Sequence, residues 1–123
     1  MCIRDRDIPY DEFEKMINVN MWGVIYGTKA YLPHLKTRPE ASVVNTSSVF
    51  GIMGFPARAP YCTAKFAVKG FTESLRLELK AQKSKVVTCT VYPGHIITNF
   101  VSCLLYTSPS PRDATLSRMP SSA

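Results

Sequence analysis

Along the first third of the chain, apolar residues recur three and four positions apart, which is the spacing of one helix face. The residues with this spacing are Phe13, Met16, Ile17 and Val24. Asp11 and Glu14 are spaced like the two members of a capping box, so Asp11 is the predicted N-cap. The pattern therefore predicts a helix over residues 11–35, which Pro33 bends or ends.

Two strand-like runs flank a second helix in the rest of the periodic sequence. Residues 41–47 and 86–92 are rich in β-branched side chains, as strands are. Between them, residues 61–82 repeat apolar positions at helical spacing, at Ala64, Val68, Phe71, Leu75 and Leu79. The order helix–strand–helix–strand predicts an α/β protein with a parallel sheet, because parallel strands are usually joined by a crossover helix.

A loop rich in glycine and proline, residues 48–60, joins the first strand to the second helix. It follows a polar strand end, Asn45 to Ser48, and ligands bind at the carboxyl ends of strands in open α/β sheets. The loop also carries the apolar residues Phe50, Ile52, Met53 and Phe55. These side chains either wall a binding pocket or fill the core, and the pattern leaves both interpretations open.

Tyr61 and Lys65 are four residues apart at the start of the second helix, so they lie on one helix face. An ammonium beside a phenol favours the phenolate, and we expect Lys65 to lower the pKa of Tyr61 below its usual value of about 10. Ser48 stands thirteen residues before Tyr61, at the predicted strand end. Asn20 is a polar residue on the apolar face of the first helix. It is either a core amide bonded to backbone or a group that faces a site.

Composition narrows the class of protein. Hydrophobic residues make up 46% of the 123 residues, enough for a packed core. No apolar run approaches the ~20 residues of a membrane span. The formal net charge is +6, but the basic residues are scattered along the chain. The lysines of segment 80–85 complement the dipole at a helix end, so we favour a solvated helix end over a nucleic-acid site.

The cysteines and histidines lack the spacing of a metal site. The four cysteines form no CxxC pair, and His34 and His95 have no carboxylate or thiol near them at ligand spacing. We therefore expect no metal and no disulfide framework. This cysteine usage fits a reducing compartment, and we predict a cytoplasmic location, with neither nucleic acid nor membrane as a partner.

The two ends of the chain depart from the pattern between them. Residues 102–123 are rich in proline, serine and arginine and have no periodicity. Codons for Met1–Asp5 and for residues 103–107 can be chosen so that the two DNA sequences are reverse complements, as in a sequencing adapter translated at both edges of a read. We therefore expect residues 1–6 and 102–123 to be non-native, disordered ends around a domain over 7–101. Codons that are not complementary in the nucleotide sequence would contradict this.

Four motifs, in this order along the chain, resemble those of the short-chain dehydrogenase/reductase family. They are Asn20 within NVNMWG, TSS ending at Ser48, Tyr61-x-x-x-Lys65, and Pro93-Gly94 followed by Thr98. The resemblance covers residues 7–101 and implies a fragment of a Rossmann-like, doubly wound parallel sheet. It also implies an NAD(P)-dependent oxidoreductase that interconverts an alcohol and a ketone or aldehyde by hydride transfer.

The resemblance implies a role for each matched residue. Tyr61 is the expected general acid/base, Lys65 would also bond the nicotinamide ribose, and Ser48 would donate a hydrogen bond to the substrate oxygen. Asn20 would hold a water that connects Lys65 to solvent, so the resemblance favours the functional interpretation of this residue. The pocket for the nicotinamide of NAD or NADP would be lined by Tyr61, Lys65, Pro93, Gly94, Ile96 and Thr98.

Several family features have no counterpart in the sequence. They are the Gly-rich turn G-x-x-x-G-x-G, the Asn-Ala-Gly motif and the residue that distinguishes NAD from NADP. The chain is therefore predicted to be a middle-to-late fragment of the domain. Two alternatives stay open: a non-catalytic truncated fragment of such an enzyme, and an extended-family epimerase or dehydratase, which shares Tyr-x-x-x-Lys.

The resemblance also bears on partners. The substrate would be a small-molecule alcohol or carbonyl compound. The full-length protein would be a homodimer or homotetramer that associates through helices 11–35 and 61–82. Phe71 and Leu75 would then contact a second subunit, or they pack on the sheet instead.

Overall fold

The computed structural model describes residues 5–97. One compact unit extends through Pro93, and residues 94–97 belong to a second unit. After a short 3-10 turn at Asp5–Asp7, the elements run in chain order. They are α1 (Tyr10–Ile17), a π-turn (Asn18–Trp22), α2 (Gly23–Lys36), β1 (Ala41–Thr46), a second 3-10 turn (Val49–Gly51), α3 (Ala59–Ala81) and β2 (Val86–Val91).

The first predicted helix is present, but its start and its middle differ from the prediction. Asp11 is not the N-cap: Pro9 holds that position, and no side chain caps the helix. Pro9 has the fixed φ of proline and its carbonyl accepts the Phe13 N–H at 3.0 Å, so the helix begins two residues earlier than a cap at Asp11 would allow. Pro33 does not end α2, which continues to Lys36.

The two strands form a parallel pair, as the order of elements predicts. Their register runs from Ala41 opposite Val86 to Thr46 opposite Val91. Helix α3 connects the strands and packs against both. The α/β fold with parallel strands alternating with helices is therefore confirmed.

The core lies between α3 and one face of this sheet. Val43 and Val86 meet Leu75 and Leu79 there, and side chains from the end of α2 pack against the cluster. Burial of a Leu or Val side chain contributes roughly 1.5–3 kcal/mol, so this cluster fixes α3 on the sheet. Leu75 thus packs on the two strands that the structure describes.

The opposite face of the sheet is exposed within residues 5–97. Val44 and Val87 point to this side and are 56% and 65% exposed. Alternate burial along a strand is the expected consequence of a pleat with only one covered face. No helix among the described residues is long and apolar enough to cross a membrane.

Candidate active site

The carboxyl end of β1 positions Ser48. Backbone pairing continues beyond the strand, with Ser47 N–H donating to the Val91 carbonyl at 2.9 Å and Val49 N–H to the Pro93 carbonyl at 3.1 Å. Ser48 then caps the second 3-10 turn, because its Oγ accepts the Phe50 N–H at 3.2 Å. One lone pair of this hydroxyl is thereby occupied, and its O–H remains available as a donor.

The first turns of α3 position Tyr61 and Lys65. Pro60 lies in the first turn, where the fixed φ of proline suits a helix start. The Asp5 carboxylate accepts hydrogen bonds from Ala57 N–H at 3.1 Å and Ala59 N–H at 2.8 Å, next to the helix start. Asp5 belongs to the end predicted to be non-native, yet it holds this segment of the chain.

Tyr61 and Ser48 meet at this edge of the sheet. Tyr61 is only 7% exposed. Burial raises the pKa of its phenol above the usual value of 10, a hydrogen bond with Ser48 lowers that pKa, and the neighbouring Cys62 side chain raises it, so the net shift is upward. Burial has the largest influence because a phenolate inside the protein loses its hydration. The hydroxyls of residues 48 and 61 are therefore close enough to share one substrate oxygen.

Lys65 is held between the Tyr61 ring and the end of β1. Its Nζ donates to the Thr46 carbonyl at 3.1 Å and lies 5.6 Å from the centroid of the Tyr61 ring. Burial lowers the pKa of the Lys65 ammonium. The prediction that Lys65 lowers the pKa of Tyr61 is not what this structure shows, because burial of the phenol outweighs the influences that favour its ionised form.

The apolar loop after Ser48 lines the approach to Tyr61. The rings of Phe50 and Phe55 stack at 5.1 Å, and Phe50 meets the Tyr61 ring edge-on at 6.2 Å. Ile52, Met53 and Phe55 are each at least half exposed. These side chains therefore do not fill the core formed by the described residues.

Asn20 lies in the π-turn that interrupts the first helix. Its Nδ2 donates to the Met16 carbonyl at 3.1 Å, the group that the backbone N–H of residue 20 bonds in a regular α-helix. The π-turn packs against α3, which carries Tyr61 and Lys65. Single π-turns inside helices occur often at functional sites. The apolar spacing gives no sign of this turn.

The structure describes most of the residues predicted to line the cofactor pocket, but it divides them between two units. The Pro93 carbonyl is bonded to Val49, next to Ser48. Gly94 and Ile96 lie in the separate unit, where both are exposed. Thr98 lies outside the described residues.

Two residues at this site escaped the sequence patterns. Ser47 Oγ donates to the Lys65 carbonyl at 2.8 Å, and Gly51 is buried against the same peptide. A glycine in a loop, such as Gly51, indicates only that a turn or a close approach is possible. The TSS sequence does not show that Ser47, rather than Ser48, faces α3. Asn45, from the same polar strand end, turns inward and donates to Thr72 Oγ1 at 2.9 Å.

A separate cleft of about 530 Å³ lies at the other end of the strands. Residues 36–39 and 82–85, which precede β1 and β2, line it. Lys83 and Lys85 of the basic segment belong to this cleft. It is not the candidate active site, because Ser48 and Tyr61 lie at the carboxyl ends of the strands.

The donor set at the site suits a nicotinamide dinucleotide. An ammonium has three donors, and the Thr46 carbonyl accepts one of them from Lys65. The remaining two can bond the vicinal hydroxyls of a ribose. Within the described residues, no group of three His, Cys, Asp or Glu side chains is arranged to hold a metal ion.

The comparison with protein families agrees with this geometry. A family model described as short chain dehydrogenase matches residues 4–105. The chain belongs to the short-chain dehydrogenase family.

Two curated relatives illustrate the similarity. SadH of Mycobacterium tuberculosis, which is named as an oxidoreductase, is 44% identical over 89 residues, or 72% of this chain and 32% of SadH. The mitochondrial D-beta-hydroxybutyrate dehydrogenase of Rattus norvegicus is 38% identical over 109 residues, or 89% of this chain and 30% of that protein. This short-chain dehydrogenase sequence thus spans about a third of the length of these relatives.

Solved structures show the same fold. A short-chain dehydrogenase/reductase of Burkholderia phymatum in complex with NAD superposes with a TM-score of 0.76 at 24% identity, over 93% of this chain and 44% of that chain. The apo form of LigO from Sphingobium sp. strain SYK-6 gives 0.70 at 27% identity, over 83% and 37% of the two chains. The Rossmann-like arrangement of α3 between parallel strands is therefore common to these proteins.

Proposed function

We propose that the chain is a segment of an NAD(P)-dependent oxidoreductase that interconverts an alcohol and a ketone or aldehyde. The observation that carries the proposal is the hydrogen bond between Tyr61 and Ser48, with Lys65 one helical turn beyond. A phenol and a hydroxyl that converge on one point can both bond a single carbonyl oxygen. Family membership supports the same reaction class.

The reaction divides between the cofactor and the protein. When bound, the nicotinamide supplies or accepts the hydride. In the reducing direction, Tyr61 donates its proton to the carbonyl oxygen and becomes a phenolate. In the oxidising direction, the phenolate accepts the hydroxyl proton of the alcohol. The Ser48 O–H donates a hydrogen bond to the same oxygen, where negative charge develops.

Lys65 has two tasks in this proposal. Its ammonium stabilises the phenolate form of Tyr61 and bonds the nicotinamide ribose. Asn20 is proposed to hold a water that delivers protons toward Lys65, and its place in the π-turn packed on α3 supports this. Pro93 is proposed to line the nicotinamide pocket, together with Gly94, Ile96 and Thr98. NAD and NADP both remain candidates, and the Burkholderia phymatum relative is described with NAD.

The pKa of Tyr61 gives the proposal a pH test. Oxidation needs the phenolate, and a pKa raised by burial makes that form scarce at neutral pH. We expect the kcat for alcohol oxidation by the full-length enzyme to rise about tenfold per pH unit from neutral into the alkaline range. Reduction needs the protonated phenol, so its kcat should stay nearly constant. Absorbance of the reduced nicotinamide measures both directions.

Ser48→Ala sharpens this test, because it removes the hydrogen bond that lowers the Tyr61 pKa. The rise in oxidation rate should move to higher pH, with a loss of about 10²-fold or more at any fixed pH. Ser42→Ala, an exposed serine on the same strand, is the matched control and should leave the profile unchanged. An oxidation rate independent of pH would contradict the assignment of Tyr61 as the base.

A hydrophobic alcohol is the substrate class that the site favours. Ile52, Met53 and Phe55 are exposed in the loop whose Phe50 ring contacts Tyr61, so an aliphatic or ring-containing substrate is proposed to cover them. Relatives named D-beta-hydroxybutyrate dehydrogenase and 3-ketodihydrosphingosine reductase are consistent with chemistry at a hydroxyl or ketone. A panel of alcohols of rising chain length tests this through kcat/KM.

The isolated chain is proposed to be inactive. The exposed sheet face at Val44 and Val87 supports this, because the chain alone leaves apolar side chains and strand edges uncovered. The sequence also carries no Gly-rich phosphate turn to hold a dinucleotide. Calorimetric titration of the purified chain with NADH and NADPH should therefore show no binding. Micromolar affinity for either would contradict this.

The full-length enzyme is proposed to be a cytoplasmic homodimer or homotetramer. Trp22 in the π-turn and Tyr26 on α2 stack at 5.5 Å, and both are exposed in this chain, as are Tyr31 on α2 and Phe66 on α3. Exposed aromatic residues on two helices support association through 11–35 and 61–82. Sedimentation analysis of the full-length enzyme measures the number of subunits, and a monomer would contradict the proposal.

A further inference from the structure

Ser47 joins three elements at a single residue. Its N–H donates to the Val91 carbonyl at 2.9 Å, which ties it to the end of β2. Its hydroxyl donates to the Lys65 carbonyl at 2.8 Å, and the side chain is only 2% exposed. A helix carbonyl has two lone pairs, so it can accept this bond in addition to its own helical bond. The end of β1 is thus bonded directly to α3, one turn beyond Tyr61.

Gly51, three residues after Ser48, packs against the same Lys65 peptide. A Cβ built on Gly51 would lie 2.9 Å from the Lys65 carbonyl oxygen and closer still to Ser47 Oγ. Real Cβ atoms do not approach backbone oxygens so closely, so any side chain here would push the 3-10 turn away from α3. The turn begins at Ser48, whose carbonyl accepts the Gly51 N–H at 2.8 Å.

Ser48 therefore lies between two residues that both rest on the Lys65 peptide. A hydroxyl–hydroxyl hydrogen bond tolerates only about 2.5–3.0 Å between its oxygens. Displacing the 3-10 turn by about 1 Å would break the bond between Ser48 and Tyr61, and an error of that size at a reacting group reduces rates by about 10²-fold.

We propose that Ser47 and Gly51 are positioning residues. Their contacts with the Lys65 peptide set the distance between the Ser48 hydroxyl and the Tyr61 phenol. The inference rests on the proposed function, because it assigns these residues to the geometry of that reaction. Neither residue touches the substrate in this scheme. Both act through the placement of Ser48.

The test uses Ser47→Ala and Gly51→Ala in the full-length enzyme. Each should lower kcat by about 10²-fold and leave the KM for the cofactor within about twofold, because Lys65 keeps its place in α3. Each should also move the rise in oxidation rate to higher pH, since Tyr61 loses the hydrogen bond from Ser48. A variant that only loses stability would not move this profile.

Matched controls come from the same elements. Ser42→Ala removes an exposed hydroxyl from β1. Gly70→Ala adds a Cβ on α3 that meets no atom within 4 Å. Both should keep the parental kcat and pH profile. If Gly51→Ala fails to fold, Ser47→Ala carries the test by itself.

The double variant gives a further signature. A Cβ at residue 51 would approach Ser47 Oγ most closely, so removing that oxygen makes room for it. The loss in Ser47→Ala/Gly51→Ala should therefore be smaller than the product of the two single losses. If the kcat loss of the double variant equals the product of the two single losses, Ser47 and Gly51 do not act through a shared contact with Lys65.

Failure of this inference is distinguishable from failure of the proposed function. If Tyr61→Phe is inactive while Ser47→Ala and Gly51→Ala keep kcat within twofold and an unchanged pH profile, the positioning role is wrong and the reaction stands. If Tyr61→Phe keeps full activity, the proposed function itself is wrong.

Discussion

Tyr61→Phe is expected to abolish turnover of the full-length enzyme, with a loss of about 10³-fold or more in kcat in both directions. The substitution removes the phenolic oxygen that transfers the proton and bonds Ser48. It keeps the ring, so the edge-on contact with Phe50 at 6.2 Å survives and the fold should persist. Steady-state kinetics with the nicotinamide absorbance as readout measure the loss, and fluorescence titration of NADH or NADPH measures cofactor binding, which should be nearly unchanged.

Tyr10→Phe is the matched control for this substitution. Tyr10 is the first residue of α1 and is 93% exposed, so removing its hydroxyl should leave kcat unaltered. A Tyr61→Phe variant that retains more than a tenth of the parental kcat would remove Tyr61 from its role as acid and base. The remaining activity would then have to come from a proton donor elsewhere.

Lys65→Met is expected to impair both turnover and cofactor binding. The Lys65 Nζ lies 5.6 Å from the centroid of the Tyr61 ring, and a positive charge beside a phenol favours the phenolate. Without the ammonium the pKa of Tyr61 should rise further, and oxidation should slow by about 10²-fold at neutral pH. The KM for the cofactor should rise as well, because the ribose loses its donor.

The split between kcat and KM separates the two variants. Tyr61→Phe should change kcat alone, whereas Lys65→Met should change kcat and raise the KM for the cofactor. Lys80→Met, which removes an exposed ammonium from the last turn of α3, controls for the change in net charge. A Lys65→Met variant with unaltered cofactor KM would show that Lys65 does not contact the dinucleotide.

Periodicity predicted the elements closely. The helix expected over 61–82 is observed at Ala59–Ala81, and the strands expected over 41–47 and 86–92 lie at Ala41–Thr46 and Val86–Val91. Burial on one face leaves a repeat in the sequence that local reasoning can detect. Predictions from residue spacing were wrong or silent where backbone geometry set the local structure. The cap at Asp11 was wrong, and the π-turn at Asn18–Trp22 leaves no mark in the apolar spacing.

The site was predictable in part. Tyr61 and Lys65 are four residues apart, which places them on one helix face. Ser48 as a third member was implied by the family resemblance, because its position alone indicated only a polar strand end. Ser47 and Gly51 were missed because their contacts with Lys65 depend on how the strand end meets the helix, across a separation of 18 residues for Ser47.

By itself, the sequence determined which chemical groups are available and in which order the helices and strands carry them. A phenol and an ammonium one turn apart, after a strand that ends in serine, are properties of the chain before it folds. Only the tertiary structure decided how ionisable the phenol is. Packing of α3 against the sheet buries Tyr61 and raises its pKa, although the neighbouring Lys65 had predicted the reverse. The presence of a charged side chain such as Lys65 follows from the sequence. The loss of hydration at Tyr61 depends on every element that packs around its phenol.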